Sequence, residues 1–215
     1  MRVLVACEYS GRVRDAFIAA GHDAMSCDLL PSEATGRHYC GDVRDVIGDG
    51  WDLMIAHPPC TYLTIAAEWA YRDVQTKKMK TGTLIGQSRR DAREEAIAFV
   101  MMLANAPIER IAIENPIGVL STRWREPDQF IQPYEYGDDA SKKTCLWLKS
   151  LPRLSPTLFA PPVSHFPQIA EVTRFGGATR RTAARTRSRP PMIAGRSGAR
   201  RSPVGPRRWQ RSGGA

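Results

Sequence analysis

Cys60 is the residue whose type and position first indicate chemistry. An apolar run over residues 53–56 is typical of a buried strand, and His57, Pro58 and Pro59 end it just before the cysteine. Open α/β sheets bind ligands in the crevice outside the carboxyl ends of their strands, so a thiol there is placed to meet a substrate. Two prolines restrict the loop and preorganise the thiol. The alternative is that the prolines only end a strand and that Cys60 is a half-buried cysteine without chemistry.

Polar residues follow the other predicted strands in the same way. Strands over residues 2–6, 22–27, 37–40 and 108–113 are followed by Cys7-Glu8-Tyr9-Ser10-Gly11, by Asp28, by Gly41-Asp42-Val43 and by Glu114-Asn115. Nucleotide-binding α/β folds place a ribose-binding carboxylate about 20 residues after the first loop, which predicts that role for Asp28. A turn cap is the alternative for Asp28, and Asp42 also suits the N-cap of a short helix.

In this order, the segments resemble the motifs of the C5-cytosine DNA methyltransferases, above all those of small phage-type and prophage-type proteins. The resemblance covers residues 1–150. The matching residues are Ser10-Gly11, Asp28, Asp42, Pro59-Cys60 and Glu114-Asn115, with Pro116 where the family has valine. The resemblance implies an S-adenosyl-L-methionine-dependent enzyme that methylates C5 of cytosine in DNA, after the base has been flipped out of any duplex.

The resemblance also assigns roles. Cys60 adds to C6 of cytosine, a protonated Glu114 donates to N3, and Asn115 fixes the loop geometry. A carboxyl buried at a strand end is expected to have the raised pKa that this donation needs. Pro59 and Lys142 complete the predicted catalytic set. The predicted cofactor-binding residues are Glu8, Tyr9, Ser10, Gly11, Asp28, Leu29, Asp42, Val43 and Pro58, with Asp42 on the adenine amino group.

Several positions depart from the family pattern. His57 stands where glycine is usual and Thr61 where glutamine is usual, and His57 is either an aid to Cys60 or a structural residue. The family's Gln-x-Arg-x-Arg after Tyr-Gly becomes Ala140, Lys142 and Thr144, so only one positive charge is kept. The final cofactor motif of the family is not found in residues 170–215.

The pattern predicts a Rossmann-like α/β fold with a mostly parallel sheet and a terminal antiparallel hairpin. Helices are expected after Gly11, over residues 64–72 and over residues 88–104, with a polar, mobile loop at 73–87. The hairpin is predicted to pair residues 132–136 with residues 144–148. Trp124, between two arginines, is expected to stack on a nucleotide or to pack under a loop.

Composition separates the chain into parts. Residues 1–150 are the expected catalytic domain, 151–173 a proline-rich surface segment, and 174–215 an arginine-rich tail without a packed core. The tail holds twelve arginines and no acidic residue, so residues 1–173 carry 19 basic and 22 acidic side chains. Such a tail either lends salt-dependent affinity for nucleic acid or is the product of a shifted reading frame.

The remaining expectations concern the environment of the chain. No run of about 18 apolar residues and no signal-peptide pattern occurs, so a cytoplasmic monomer without membrane contact is expected. Five widely spaced cysteines and four histidines indicate neither disulfides nor a metal site.

Two other functions fit the sequence. An amino-group (N4/N6) DNA methyltransferase shares the two prolines but needs an Asp or Asn before them and an aromatic ring after them, where this chain has His57 and Cys60. A catalytically eroded, nucleic-acid-binding protein of the same fold is the second alternative. Covalent trapping of Cys60 on 5-fluorocytosine DNA distinguishes a C5 enzyme from the amino-group enzyme. Binding of S-adenosyl-L-methionine distinguishes it from the eroded binding protein.

Overall fold

A computed structural model describes residues 1–73 and 81–158, and within these ranges seven strands form one sheet. The strands are β1 (Arg2–Ala6), β2 (Asp23–Asp28), β3 (His38–Cys40), β4 (Leu53–Ala56), β5 (Arg110–Pro116), β6 (Gln129–Ile131) and β7 (Thr144–Lys149). Their order across the sheet is β3-β2-β1-β4-β5-β7-β6. Strands β1 to β5 are parallel, and β7 pairs antiparallel with both β5 and β6. The predicted α/β class, with a mostly parallel sheet and antiparallel pairing at one end, is confirmed.

Helices cover both faces of the sheet. They are α1 (Arg12–Ala19), α2 (Gly86–Ala104) and the short α3 (Leu120–Arg123), together with 3-10 turns at Val43–Asp45, Glu68–Tyr71 and Pro133–Tyr136. Alternate strand residues point to opposite faces. Leu4, Met54 and Ile111 therefore pack with Val100 and Leu103 of α2. The opposite face carries a smaller cluster of Val3, Val5, Ala24 and Leu53, which packs against Val13 and Phe17 of α1.

The strand register brings one residue of each central strand into a row. Ala6 pairs with Cys27 of β2 and with Ala56 of β4, and Ala56 pairs with Ile113 of β5. Neighbouring strands lie about 4.8 Å apart. The next residue of each of these strands therefore lies at the carboxyl edge of the sheet. Along this edge the order is Asp28, Cys7, His57 and Glu114.

Two predicted elements are wrong in detail. The strand that pairs with β7 is Gln129–Ile131, whereas residues 132–136 hold the 3-10 turn Pro133–Tyr136. Pro133 at the start of this turn and a reciprocal capping box between Gln132 and Glu135 favour the turn over an extended strand. The helix expected over residues 64–72 is limited to the 3-10 turn Glu68–Tyr71, because backbone bonds to Cys60 hold the chain before it in a tight turn.

Residues 151–158 run beside β6. The Gln129 side chain donates to Leu154 O at 2.7 Å and accepts from Leu154 N at 2.8 Å, so it holds this segment to the sheet edge. The lysines of the predicted mobile loop at 77, 78 and 80, and the chain from 159 onwards with its arginine-rich tail, lie outside the described residues. In the part that is described, no helix has the length and apolar character needed to cross a membrane.

Candidate active site at the carboxyl edge of the sheet

Several of the predicted site residues follow strands on either side of the point where the strand order reverses, between β1 and β4. In open α/β sheets this switch point forms the ligand crevice, because the connections on its two sides lead away to opposite faces. Cys7 follows β1 and His57 follows β4 across the switch point, and the His57 amide donates to Ala6 O at 2.9 Å. The Pro58-Pro59-Cys60 loop then leaves the sheet above this crevice.

His57 and Glu114 are in direct contact. His57 Nδ1 lies 3.3 Å from Glu114 Oε2, and the two side chains are 30% and 27% exposed. The other ring nitrogen, Nε2, is buried and has no hydrogen-bond partner within the described ranges. The pair is therefore enclosed enough to strengthen its electrostatics but open enough to be reached by a ligand.

The pKa of Glu114 moves in the direction opposite to the expected one. Burial by itself raises the pKa of this carboxyl, but hydrogen bonds to His57 and Thr144 and the positive charges of His57 and Lys142 outweigh it. The pKa therefore lies below its ordinary value of 4.5. The expectation of a protonated Glu114 is wrong for the protein by itself, and the predicted residue Lys142 acts through its charge. Thr144, which replaces a family arginine, is a partner of the carboxyl that sequence reasoning missed.

Asn115 joins β5 to the cysteine loop. Its side chain is 1% exposed, and Nδ2 donates to Pro58 O at 2.8 Å. Its Oδ1 is buried without a partner in the described part of the chain. The contact expected between Asn115 and the loop is present, and it connects the predicted thiol loop directly to the residue after Glu114.

Cys60 is a half-buried free thiol at the start of a tight turn. Its carbonyl accepts from Leu63 N at 2.9 Å and from Thr64 N at 3.1 Å. The turn is held to the segment after β5 by a bridge between Thr64 and Gly118, where a Cβ at position 118 would lie only 2.0 Å from Leu63 O. Two residues thus hold the loop, Asn115 of β5 and Gly118 in the segment that follows β5.

Arginines of α2 hold the same loop from the other side, a role that sequence reasoning missed. Arg89 is 5% exposed and lies between the rings of Tyr62 and Tyr71, with its Cζ 5.2 Å and 4.9 Å from the ring centroids. Arg93 donates through Nε to Tyr62 O at 2.9 Å and lies over the Tyr71 ring. The two tyrosines that follow Cys60 are the sequence feature that could have indicated cation–π partners for these arginines.

A second group of predicted residues lines a cleft on the other side of the switch point. The cleft has a volume of about 70 Å³ and is lined by Asp28, Leu29, Asp42 and Val43 together with Cys7, Cys27, Gly41, Pro59 and Phe99. Pro59, predicted as catalytic, thus lies at this cleft, whereas the predicted cofactor residue Pro58 is not among the residues lining it. This volume is smaller than that of a typical small-molecule site, which encloses roughly 300 Å³ or more.

Both aspartates of the cleft already have local roles. Asp28 Oδ1 accepts from Leu30 N at 2.9 Å, which leaves Oδ2 without a partner in the described residues. Asp42 caps the turn Val43–Asp45, accepting from Arg44 N at 2.9 Å and from Arg44 Nη1 at 2.8 Å. The turn-cap and N-cap alternatives are therefore present, and Asp28 retains one oxygen for a ligand.

The predicted cofactor-binding residues of the first loop do not line this cleft. Glu8 is buried and accepts from the first amides of α1, Ser10 donates to Glu8, and Tyr9 is exposed. Gly11 has φ +76°, and a Cβ there would lie 2.5 Å from Nη2 of the fully buried Arg14. The need for glycine at position 11 is thus explained by the packing of Arg14, and none of these residues lines the cleft.

Two other cysteines at the edge are poor nucleophiles. Burial first, and the charge of Asp28 next, raise the pKa of both Cys7 and Cys27 to about 12. Cys7 also adopts φ +60°, a left-handed conformation that is uncommon for a residue with a side chain and that clusters at functional sites. Both thiols remain protonated at neutral pH, so the remaining thiols near the cleft are the half-buried Cys60 and the exposed Cys40.

Trp124 packs against the hydrophobic core of the sheet. Its ring stacks on Trp147 at a centroid distance of 6.0 Å, and Arg125 lies 4.9 Å from its centroid. The ring therefore has a packing role, and the nucleotide-stacking alternative stays a prediction. Within the described ranges, no group of three or more His, Cys, Asp or Glu side chains is arranged to hold a metal ion.

The sheet order, with β7 reversed between β5 and β6, defines a methyltransferase-like α/β fold. No protein-family model matches the chain, and no curated protein matches it. Among solved structures, a candidate DNA modification methyltransferase encoded within a prophage of E. coli is similar to this chain, with a TM-score of 0.42 and 14% sequence identity over 76% of this chain and 51% of that one. This chain therefore spans about half the length of that protein.

Proposed function

We propose that the chain methylates C5 of cytosine in DNA, with S-adenosyl-L-methionine as the methyl donor and Cys60 as a transient nucleophile. The observation that carries the proposal is the bond from Asn115 Nδ2 to Pro58 O, which ties the thiol loop to the strand that bears Glu114. A thiol and a carboxyl held by neighbouring strands can act on two positions of one pyrimidine ring.

The reaction begins at Cys60. Its thiolate forms a bond to C6 of cytosine, and the electron pair of the C5–C6 double bond becomes available at C5. When bound, S-adenosyl-L-methionine supplies an electrophilic methyl group to C5. Loss of the C5 proton to solvent and cleavage of the bond between Cys60 Sγ and C6 then restore the aromatic ring and the thiolate. The loop contacts from Arg89, Arg93 and Asn115 hold the sulfur in place during both steps.

The proton for N3 is held by the pair of His57 and Glu114. Because the pKa of Glu114 is lowered, its carboxylate is ionised at neutral pH, and His57 is the neighbouring group that can carry the proton. Glu114 then accepts from the cytosine amino group or passes the His57 proton to N3 as C6 is attacked. Hydrogen bonds of this kind are often long in the free enzyme, as the 3.3 Å contact is, and shorten with substrate.

The nucleoside part of the cofactor is assigned to the small cleft that Pro59 lines. Val43 and Phe99 give it apolar walls for a purine, and Asp28 Oδ2 is available to accept from ribose hydroxyls. Asp42 retains acceptor capacity toward an adenine amino group although it also binds Arg44, since a carboxylate accepts about four hydrogen bonds. Cytosine itself is proposed to enter from the side of Glu114.

The deciding experiment is covalent trapping on DNA that contains 5-fluorocytosine. Fluorine at C5 cannot leave as a proton does, so a C5 enzyme stays bound through Cys60 once the methyl group has been transferred. We expect the wild-type chain with S-adenosyl-L-methionine to form an adduct that survives denaturation. Cys60→Ser should form none, whereas Cys40→Ser, which removes an exposed thiol, should behave as wild type.

The alternatives give different results in the same assay. Label from tritiated S-adenosyl-L-methionine that enters DNA without any adduct indicates an amino-group methyltransferase. DNA binding without label transfer and without cofactor binding indicates the eroded binding protein. Either result contradicts the proposal.

A further inference from the structure

A second cavity lies over β5 and β7, on the face of the sheet that α2 covers. It has a volume of about 360 Å³, which is within the range of small-molecule sites. Its lining, as far as the described residues form it, contains none of the predicted catalytic or cofactor-binding residues. The cavity is therefore separate from the cysteine loop and from the smaller cleft that Pro59 lines.

The inner end of this cavity is apolar. Ile111 and Ile113 of β5 and Trp147 of β7 form it, and each is 1% exposed. The cavity remains open because α3, which follows β5, has only 4 residues, whereas α2 has 19 and packs on the neighbouring strands. Trp124, directly after α3, also lines the cavity and is only partly buried, so a ligand can reach it.

The charged side chains of this cavity are both positive. Arg125 and the exposed Lys149 line it, and no aspartate or glutamate does within the described ranges. The charge of Arg125 is balanced, since its Nη1 lies 2.7 Å from Asp128 Oδ2. Lys149 Nζ donates to Ala106 O at 3.2 Å, and an ammonium group has three donors, so two remain for a ligand. Lys149 thus supplies the positive charge that a ligand can meet.

We infer that this cavity binds a flat aromatic molecule that carries one negative charge. Trp124 supplies aromatic surface against which a second ring can pack edge-to-face. The ammonium group of Lys149 is placed to pair with a carboxylate or a similar anion at the mouth of the cavity. The arginine-rich tail is disfavoured as an occupant, because Lys149 and Arg125 repel its like charges. The inference is independent of the proposed methyl transfer.

Nitrogen-15 NMR on the full chain with labelled tryptophan tests the inference. The probe is 2-naphthoate, an aromatic carboxylate with two fused rings, for which we expect a dissociation constant of about 1 mM or lower. The indole N–H signal of Trp124 should shift during the titration. The signal of Trp51 should not, since Trp51 does not line the cavity and its Nε1 donates to Val46 O at 2.7 Å. Trp124→Phe and Trp51→Phe assign the two signals.

The role of charge is measured with a matched neutral compound. The amide 2-naphthamide has the same rings and nearly the same size as 2-naphthoate. We expect 2-naphthoate to bind about three- to fivefold more tightly, which is the gain that an exposed ion pair gives. Lys149→Gln should remove this preference. Lys143→Gln should keep it, because Lys143 lies outside the cavity, with its Nζ 4.2 Å from the centroid of the Phe130 ring.

Three results would each overturn the inference. They are an unshifted Trp124 signal at about 10 mM 2-naphthoate, a Trp51 shift as large as that of Trp124, and equal affinity of the wild-type chain for the two compounds. Since the main comparison uses the wild-type chain, it stands even if a variant fails to fold. None of these results changes the outcome expected for trapping at Cys60, so the two proposals fail separately.

Discussion

His57 Nδ1 lies 3.3 Å from Glu114 Oε2, across the carboxyl ends of two adjacent parallel strands. The strand register explains this contact. Ala56 pairs with Ile113, and the residues that follow them are His57 and Glu114. A glycine at position 57, as is usual in the resembled family, would leave the carboxyl without this partner. The histidine is thus one of the departures from the resembled pattern that directly changes the surroundings of Glu114.

The first prediction concerns the pH dependence of this pair. The pKa of Glu114 is lowered in the fold, so its ionised form stabilises the protein above the unfolded pKa of about 4.3, and this contribution is lost as the pH falls through the folded value. In His57→Gln the hydrogen bond weakens and the positive charge disappears while burial remains, so the pKa of Glu114 should rise. Carbon-13 NMR titration of labelled glutamate, with Glu114→Gln to assign the signal, measures the change.

A second readout separates a catalytic role of His57 from a structural one. The pH profile of adduct formation on 5-fluorocytosine DNA should shift in His57→Gln, whereas a purely structural effect would lower the rate equally at every pH. An unchanged Glu114 titration in the variant would contradict the assigned contact.

The second prediction concerns which thiols react. Cys7 and Cys27 have pKa values raised to about 12, and Cys27 also donates to Gly41 O at 3.6 Å, so they should resist iodoacetamide at mildly alkaline pH. Exposed Cys40 and half-buried Cys60 should be labelled. In Cys40→Ser, peptide mass spectrometry of the native protein should then find Cys60 as the main labelled site. Labelling of Cys7 at the rate of Cys60 would refute the proposed assignment of the nucleophile.

The third prediction concerns the support of the cysteine loop. A Cβ at position 118 would lie 2.0 Å from Leu63 O, so Gly118→Ala must push the loop away from the segment after β5. We expect a loss of about 1–3 kcal/mol in the free energy of unfolding, together with slower adduct formation at Cys60. Denaturant unfolding monitored by circular dichroism gives the first quantity. Gly48→Ala is the matched control, because no atom lies within 4 Å of its Cβ position, and it should be neutral or slightly stabilising.

The fourth prediction concerns the buried Arg14. Its guanidinium donates to Ser26 Oγ at 3.1 Å and to Thr35 O at 2.9 Å, and its Nε lies 2.7 Å from Asp15 Oδ1. Arg14→Met removes these charge-assisted hydrogen bonds from a fully buried side chain, so we expect a loss of about 2–3 kcal/mol in the free energy of unfolding. Arg12→Met, at an exposed position on the same helix, should change stability by less than about 0.5 kcal/mol. Equal losses in the two variants would contradict the assigned network.

The sequence predicted the strands better than the surroundings of the site. Strands β1 and β4 have the predicted bounds, because short β-branched or apolar runs flanked by glycine or proline leave little choice. The pairing of residues 132–136 failed because Pro133 and the capping box act locally and override an extended pattern. The lowered pKa of Glu114 could not be predicted from the sequence. It depends on contacts with His57, which follows β4, and with Thr144 of β7, and both residues are distant from Glu114 along the chain.

The insertion of β7 between β5 and β6 has a consequence for biosynthesis. Strand β6 leaves the ribosome before β7 but has no partner until β7 arrives, since β6 pairs with β7 and not with β5. Thr144, which hydrogen-bonds Glu114, belongs to that late strand. The nascent chain therefore presents its cysteine loop and its first helix well before the carboxyl of Glu114 acquires its final electrostatic environment, which requires translation of β7.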